Sequence, residues 1–156
     1  MPHIHEQYDF AVNTFIVFEK KILLVNHPRY GFWLAPGGHI ELNEDPDQAL
    51  FREIKEETGF TSEDIEVLSR KPNQVSKSQK FLYTPDYVNV HDANAPHKHI
   101  TLMYFIRAKH DKHVKSDEHT EARWFSVNDL DDSVYNILPD VKFAAKEAIK
   151  AANEKI

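Results

Sequence analysis

Residues 38–60, GHIELNEDPDQALFREIKEETGF, decide how this chain is read. The stretch opens on a glycine turn, passes Glu44, and then carries helix signals in order. Asp45 is placed to cap the start, Pro46 suits the first helical position, and Gln48 stands where a capping-box partner reaches back. Gly59 supplies the left-handed residue that ends a helix. The spacing predicts a helix over residues 46–58.

With Glu53 set at zero and about 100° per residue, Glu57 falls near +40° and Glu56 near −60°. Three carboxylates therefore share one arc, bordered by Arg52 on one side and by an apolar stripe of Leu50, Phe51 and Ile54 on the other. Like charges at these spacings repel by a few tenths of a kcal/mol per pair. A hard divalent cation reverses that sign, because Mg²⁺ takes carboxylate oxygens and keeps waters for a phosphate group. Taken alone, a Glu-rich arc reads more simply as a solvated acidic face. The residues around it favour the cation.

Gly38 is followed after five residues by Glu44, and after seven more by Arg52-Glu53-Ile54-Lys55-Glu56-Glu57-Thr58-Gly59-Phe60. This resembles the Nudix box, G-x5-E-x7-R-E-U-x-E-E-x-G-U with U apolar, and every specified position is filled. Phe60 is aromatic where an aliphatic residue is commoner. So many fixed positions make the likeness far more specific than a lone glycine motif. It extends outward through Trp33-Leu34-Ala35-Pro36-Gly37-Gly38, a long apolar strand at residues 100–106, and Arg123-Trp124-Phe125, as in MutT-like members. The resemblance implies an α/β fold, the α/β/α Nudix sandwich, with a mixed sheet between the box helix and a C-terminal helix.

Composition bounds the rest. At 156 residues the chain suits one domain, residues 1–156, with an ordinary core. With no cysteine, disulfides and thiolate metal sites are excluded. Residues 1–6 lack the regions of a signal peptide, and no run approaches the roughly 20 apolar residues of a membrane span. The expected place is the cytoplasm, with no membrane partner. A net charge of −6 argues against a stable nucleic acid complex, which needs a basic stripe. It leaves a nucleotide substrate open, because a bound metal reverses the local field. The ten histidines lie mostly outside the box, at positions such as His91, His97, His110, His113 and His119. With no helical H-x3-H zinc spacing, they read as surface or structural residues.

Along the chain, residues 10–18 (FAVNTFIVF) are apolar on both alternating faces, as a covered central strand would be. Further strands are expected at 22–26, 32–35, 65–69, 99–108 and 122–126, with a turn or short helix from Val127. Residues 70–98 are polar and carry Pro72, Pro85 and Pro96. A structureless loop of that length is uncommon in a compact domain, so a strand is expected near residues 80–84, with a mobile excursion around 85–96. Residues 139–156 repeat apolar residues at three and four positions, giving a closing amphipathic helix.

The resemblance implies hydrolysis of a nucleoside diphosphate linked to another group. Mg²⁺, with Mn²⁺ as its alternative, would be held by Glu53, Glu56 and Glu57 and by the main-chain carbonyl of Gly38. Arg52 would orient Glu53 or pair with Glu44. Glu53 is one candidate base. Family members often add an acid from a loop outside the box, and Glu118, six residues before Trp124, stands at that place as base or metal ligand, with Glu121 next. Arg29 is a candidate phosphate partner, and His39, following the glycine turn, a candidate substrate contact. Tyr30, Phe32, Phe81, Tyr83 and Tyr87 offer rings for a base but read first as packing residues.

Subtype markers are missing: Val75 stands where ADP-ribose hydrolases carry proline, and the tyrosine of dinucleoside polyphosphate hydrolases is absent nearby. Two other readings compete. A nucleotide sensor on the same fold would tend to lose box acids or gain a DNA-binding domain, and a prenyl diphosphate isomerase would favour a catalytic cysteine. Neither trait is present. The expected partner is a small nucleotide, and the protein a monomer or homodimer.

Overall fold

The structure is a computed structural model, and it describes residues 7–94, 96–114, 116–119 and 121–154. In chain order the elements are β1 (Tyr8–Phe18), β2 (Lys21–Asn26), β3 (Trp33–Leu34), β4 (Gly37–His39), α1 (Pro46–Thr58), β5 (Ile65–Val67), β6 (Tyr87–Asn94), β7 (His97–Ala108), β8 (Glu121–Phe125), α2 (Val127–Asp131) and α3 (Pro139–Glu154). The last two residues of the expected closing helix lie outside the described residues.

β1 lies at the centre because its residues are apolar on both faces. Val12 and Ile16 join Leu102, Tyr104 and Ile106 of β7 beneath Ala49, Leu50 and Ile54 of α1. Phe15 and Val17 join Met103 and Phe105 on the opposite face, under Ala144, Ala145, Ala148 and Ile149 of α3. The alanines let that helix settle close to the sheet. The main strand order is β3-β2-β1-β7-β5, with β4 also on β1, β6 on β7 and β8 on β2. β1 and β7 run parallel from Tyr8 opposite Lys98 to Val17 opposite Arg107, and the other pairs are antiparallel. This is a mixed sheet between two helices, as expected.

α1 is built as its sequence dictates. Asp45 caps it by accepting the Gln48 N–H (2.9 Å), the Gln48 side chain accepts the Asp45 N–H (2.8 Å), and Gly59 closes it at φ +77°.

Two expectations about residues 80–96 are corrected. Residues 80–84 form no strand and instead lie over the start of α1. There the Tyr83 N–H reaches Asp47 Oδ1 (3.1 Å), Lys80 meets Asp45 (2.8 Å) and Lys71 meets Asp47 (2.9 Å). The excursion expected around residues 85–96 is largely β6. Its alternation is inverted: Asn89 and His91 line a cleft on one face while Val88 and Val90, on the other, are 56% and 58% exposed. That inversion hides the strand from any pattern that places apolar residues inside.

β4 is the other element that alternation misses. It occupies the half of one β1 edge that β2 leaves free, with Gly37 opposite Asn13 and Gly38 opposite Val12. The approach requires glycine, since a Cβ at Gly37 would lie 2.0 Å from the Val12 carbonyl oxygen. Gly37→Ala is expected to destabilise the fold by about 3 kcal/mol, the upper end for overpacking. Gly31→Ala, in open space at φ +67°, should cost about 1–2 kcal/mol from backbone strain alone. Urea midpoints compare the two, and equal values would remove the steric account.

Candidate active site

The turn at Gly37–Gly38 brings the backbone of β4 against the acids of α1. The Gly37 N–H donates to Glu57 Oε2 (2.7 Å). A Cβ at Gly38 would stand 2.3 Å from Glu53 Oε1, so a side chain there would push the Glu53 carboxylate aside. Glu53 and Glu57 are 7% and 4% exposed, and Glu56 lies outside them with its carboxylate open to solvent.

Arg52 ties the acids together. Its Nε and Nη2 donate to Glu44 (3.0 and 2.6 Å), and Nη1 donates to Glu53 (2.8 Å) and Glu56 (3.1 Å). A second Nη2 bond reaches the His39 carbonyl (2.9 Å). Arg52 thus contacts Glu44 and Glu53 at once. The hydrogen bond from Arg52 holds the Glu44 carboxyl below its ordinary range. Glu53 goes the other way: burial first, and then the nearby Glu57 charge, push it up to about 7 against the pull of Arg52.

Gly37, Gly38 and Glu57 line a cleft of about 430 Å³, a size that suits a small ligand, while Glu44, Arg52, Glu53 and Glu56 stand behind its wall. Its floor is Ala11 and Asn13 of β1 with Thr101 and Met103 of β7. Glu57, Gly38 and His119 line one side, the start of α3 at Asp140 and Val141 another, and His39, His91 and His99 the rim. His39, expected as a substrate contact, lines this cleft. Arg29 does not line the cleft; it is exposed, its guanidinium 5.6 Å from the centre of the Tyr30 ring. None of the five aromatic candidates lines it either: Tyr83 packs on Phe51, and Tyr87 on Phe105 and Phe143.

Glu118 is exposed in a turn, its N–H bonded to Ser116 Oγ (3.0 Å), and Glu121 is exposed on β8. The neighbour of Glu118 enters the site instead. His119 is 6% exposed, lines the cleft, and places Nε2 3.3 Å from Glu57 Oε1, with neither ring nitrogen hydrogen-bonded among the described residues. No period in the sequence marks it, because its burial comes from the fold of a loop.

A family model described as NUDIX domain matches residues 7–148. The chain belongs to the Nudix family. It is 32% identical over 125 residues to the ADP-ribose pyrophosphatase of Methanocaldococcus jannaschii, covering 77% of this Nudix chain and 63% of that protein. It is 43% identical over 50 residues to the Nudix hydrolase YvcI of Bacillus subtilis, 32% of each chain. Both matches span less than two thirds of the relative's length. Among solved structures, a Nudix-family hydrolase from Clostridium perfringens superposes with a TM-score of 0.78 at 29% identity, covering 91% of this chain and 96% of that one. Among the described residues no helix is long and apolar enough to cross a membrane.

The family generally uses a divalent metal, and the box of this Nudix chain fits one. Two nearly buried carboxylates sit close enough for the charge of one to raise the pKa of the other, and the Gly38 backbone lies directly against Glu53. Three box carboxylates share the single Arg52 guanidinium, and Glu57 stands against the Gly37 N–H and His119, leaving negative charge for a cation to neutralise.

Proposed function

We propose that this Nudix protein hydrolyses the diphosphate linkage of a nucleoside diphosphate joined to another group, with Mg²⁺ or Mn²⁺ held by Glu53, Glu56, Glu57 and the Gly38 carbonyl. The observation that carries the reading is the burial of Glu53 and Glu57 around the Gly37–Gly38 turn, beside a ligand-sized cleft. Relatives whose names specify an ADP-ribose pyrophosphatase, an NAD-capped RNA hydrolase and an 8-oxo-dGTP diphosphatase support it, since each such substrate carries a phosphoanhydride.

When bound, the cation screens the charges of the diphosphate and acidifies a water. The chain's own residues do the rest. Glu53, buried beside Glu57 and fastened by Arg52, is the box carboxylate placed to accept a proton from that water. Arg52 fixes the position of that carboxylate while being held itself by Glu44 and the His39 carbonyl. The Gly37 amide fixes Glu57, and the cleft between β7 and α3 receives the nucleoside.

The test is a turnover screen over nucleoside triphosphates, dinucleoside polyphosphates and nucleotide sugars, with Mg²⁺ or Mn²⁺ and with the metal removed by chelation. Cleavage giving phosphate-ended nucleotides, abolished by the chelator and restored by added metal, is expected. A nucleotide that binds without being cleaved at saturating metal, with no substrate turned over, would establish a sensor instead.

A further inference from the structure

A second group of ligand atoms stands at the rim of the cleft and belongs to the sheet, apart from the box helix. In the parallel pairing of β1 with β7, Asp9 lies opposite His99, and β6 places His91 opposite the same residue. β4 brings His39 alongside, opposite Ala11. His39 Nε2 is 3.0 Å from His99 Nε2 and 3.7 Å from Asp9 Oδ2, and His97 Nε2 is 2.9 Å from that same oxygen. The donor atoms of Asp9, His39 and His99 all fall within 4.8 Å of one another.

We propose that Asp9, His39 and His99 form a binding site for a transition-metal ion of the Zn²⁺ class, separate from the box carboxylates. Around a tetrahedral ion with bonds near 2.0 Å, ligand atoms stand about 3.3 Å apart, and the spacings here bracket that value. Two imidazoles and one carboxylate are a donor set that Zn²⁺, Co²⁺ or Ni²⁺ prefers, whereas Mg²⁺ prefers oxygen alone. The two Nε2 atoms stand at hydrogen-bond distance, one ring donating to the other; for both to bind the ion, the donating ring releases its Nε2 proton to solvent and takes one up on Nδ1, leaving both imidazoles neutral. His97 stands as the outer partner that orients Asp9.

Three protein ligands leave a fourth position, and His39 and His99 both line the cleft. That position takes a Lewis-basic group of whatever ligand occupies it, such as a phosphate oxygen or ring nitrogen. The site does not depend on the hydrolase reading, and its failure would leave that reading intact.

The test titrates the tag-free full chain with Co²⁺, followed by visible absorption, and with Zn²⁺ by calorimetry, both in excess Mg²⁺ to occupy the box. One equivalent with tetrahedral Co²⁺ bands is expected. His99→Asn and Asp9→Asn should each weaken it by more than the roughly 10–100-fold that losing an outer partner costs, and His97→Gln by about that amount. Glu56→Gln should leave it unchanged. Asp9 is exposed, so its variant guards against misfolding of the strand variant. Absence of the bound equivalent in the unsubstituted chain, or its survival in both ligand variants, would overturn the site; so would its loss in Glu56→Gln.

Discussion

Glu57→Gln is expected to lower kcat by about 10² or more while leaving the fold intact. The substitution keeps shape and removes charge. A glutamine oxygen can still accept the Gly37 N–H that Glu57 accepts at 2.7 Å, and its amide can donate toward His119 Nε2, now 3.3 Å from the carboxylate. What disappears is one of two nearly buried negative charges beside the cleft. Steady-state kinetics across a Mg²⁺ titration check the result, with thermal unfolding in chelator as the control for folding. Unchanged kcat at saturating metal would remove Glu57 from the site.

Glu53→Gln has two expected effects of opposite sign. Turnover should fall by about 10²–10⁴, the range for losing a positioned base. Stability of the metal-free protein should rise at alkaline pH. The Glu53 carboxyl titrates at about 7 in the fold, against 4.5 ordinarily, so the folded chain holds a proton that the unfolded chain has released between those values. Its cost is absent below 4.5, grows as pH rises, and is complete above 7. At about 1.4 kcal/mol per pKa unit, the full cost is about 3 kcal/mol. Glutamine has no proton to lose and escapes it. Urea unfolding in chelator at pH 4 and pH 8 should give a gain at the higher pH only. Equal gains at both would mean that packing, and not ionisation, sets the stability of this position.

How much of this was legible depended on how local each cause is. The helix Pro46–Thr58 is specified within its own residues, from the Asp45 cap to Gly59, and the acidic arc follows from its pitch. The apolar strands were equally plain. β4 was not, because two glycines and a histidine carry no alternation, and its pairing exists only against β1. β6 was missed because its valines face out and its polar residues face the cleft. The cleft itself draws on six strands, both larger helices and the residue 119 loop, and no local pattern assembles those. The histidines show the same limit. Helical spacing between them is absent, while strand register brings residues 39, 91, 97 and 99 of the chain together. Asp9, their carboxylate partner, carried no signal at all.

The guanidinium of Arg52 has five N–H groups, and all of them point at oxygens of this same protein: two on Glu44, one each on Glu53 and Glu56, and one on the His39 carbonyl. An anion arriving in the cleft therefore finds no unclaimed donor on the arginine nearest the acids. Charge for gripping it must come in with the ion, so empty and loaded forms should differ sharply in their hold on a diphosphate. Lysine could not replace this arginine, because three rotating donors cannot fasten a strand, a loop and a helix at once.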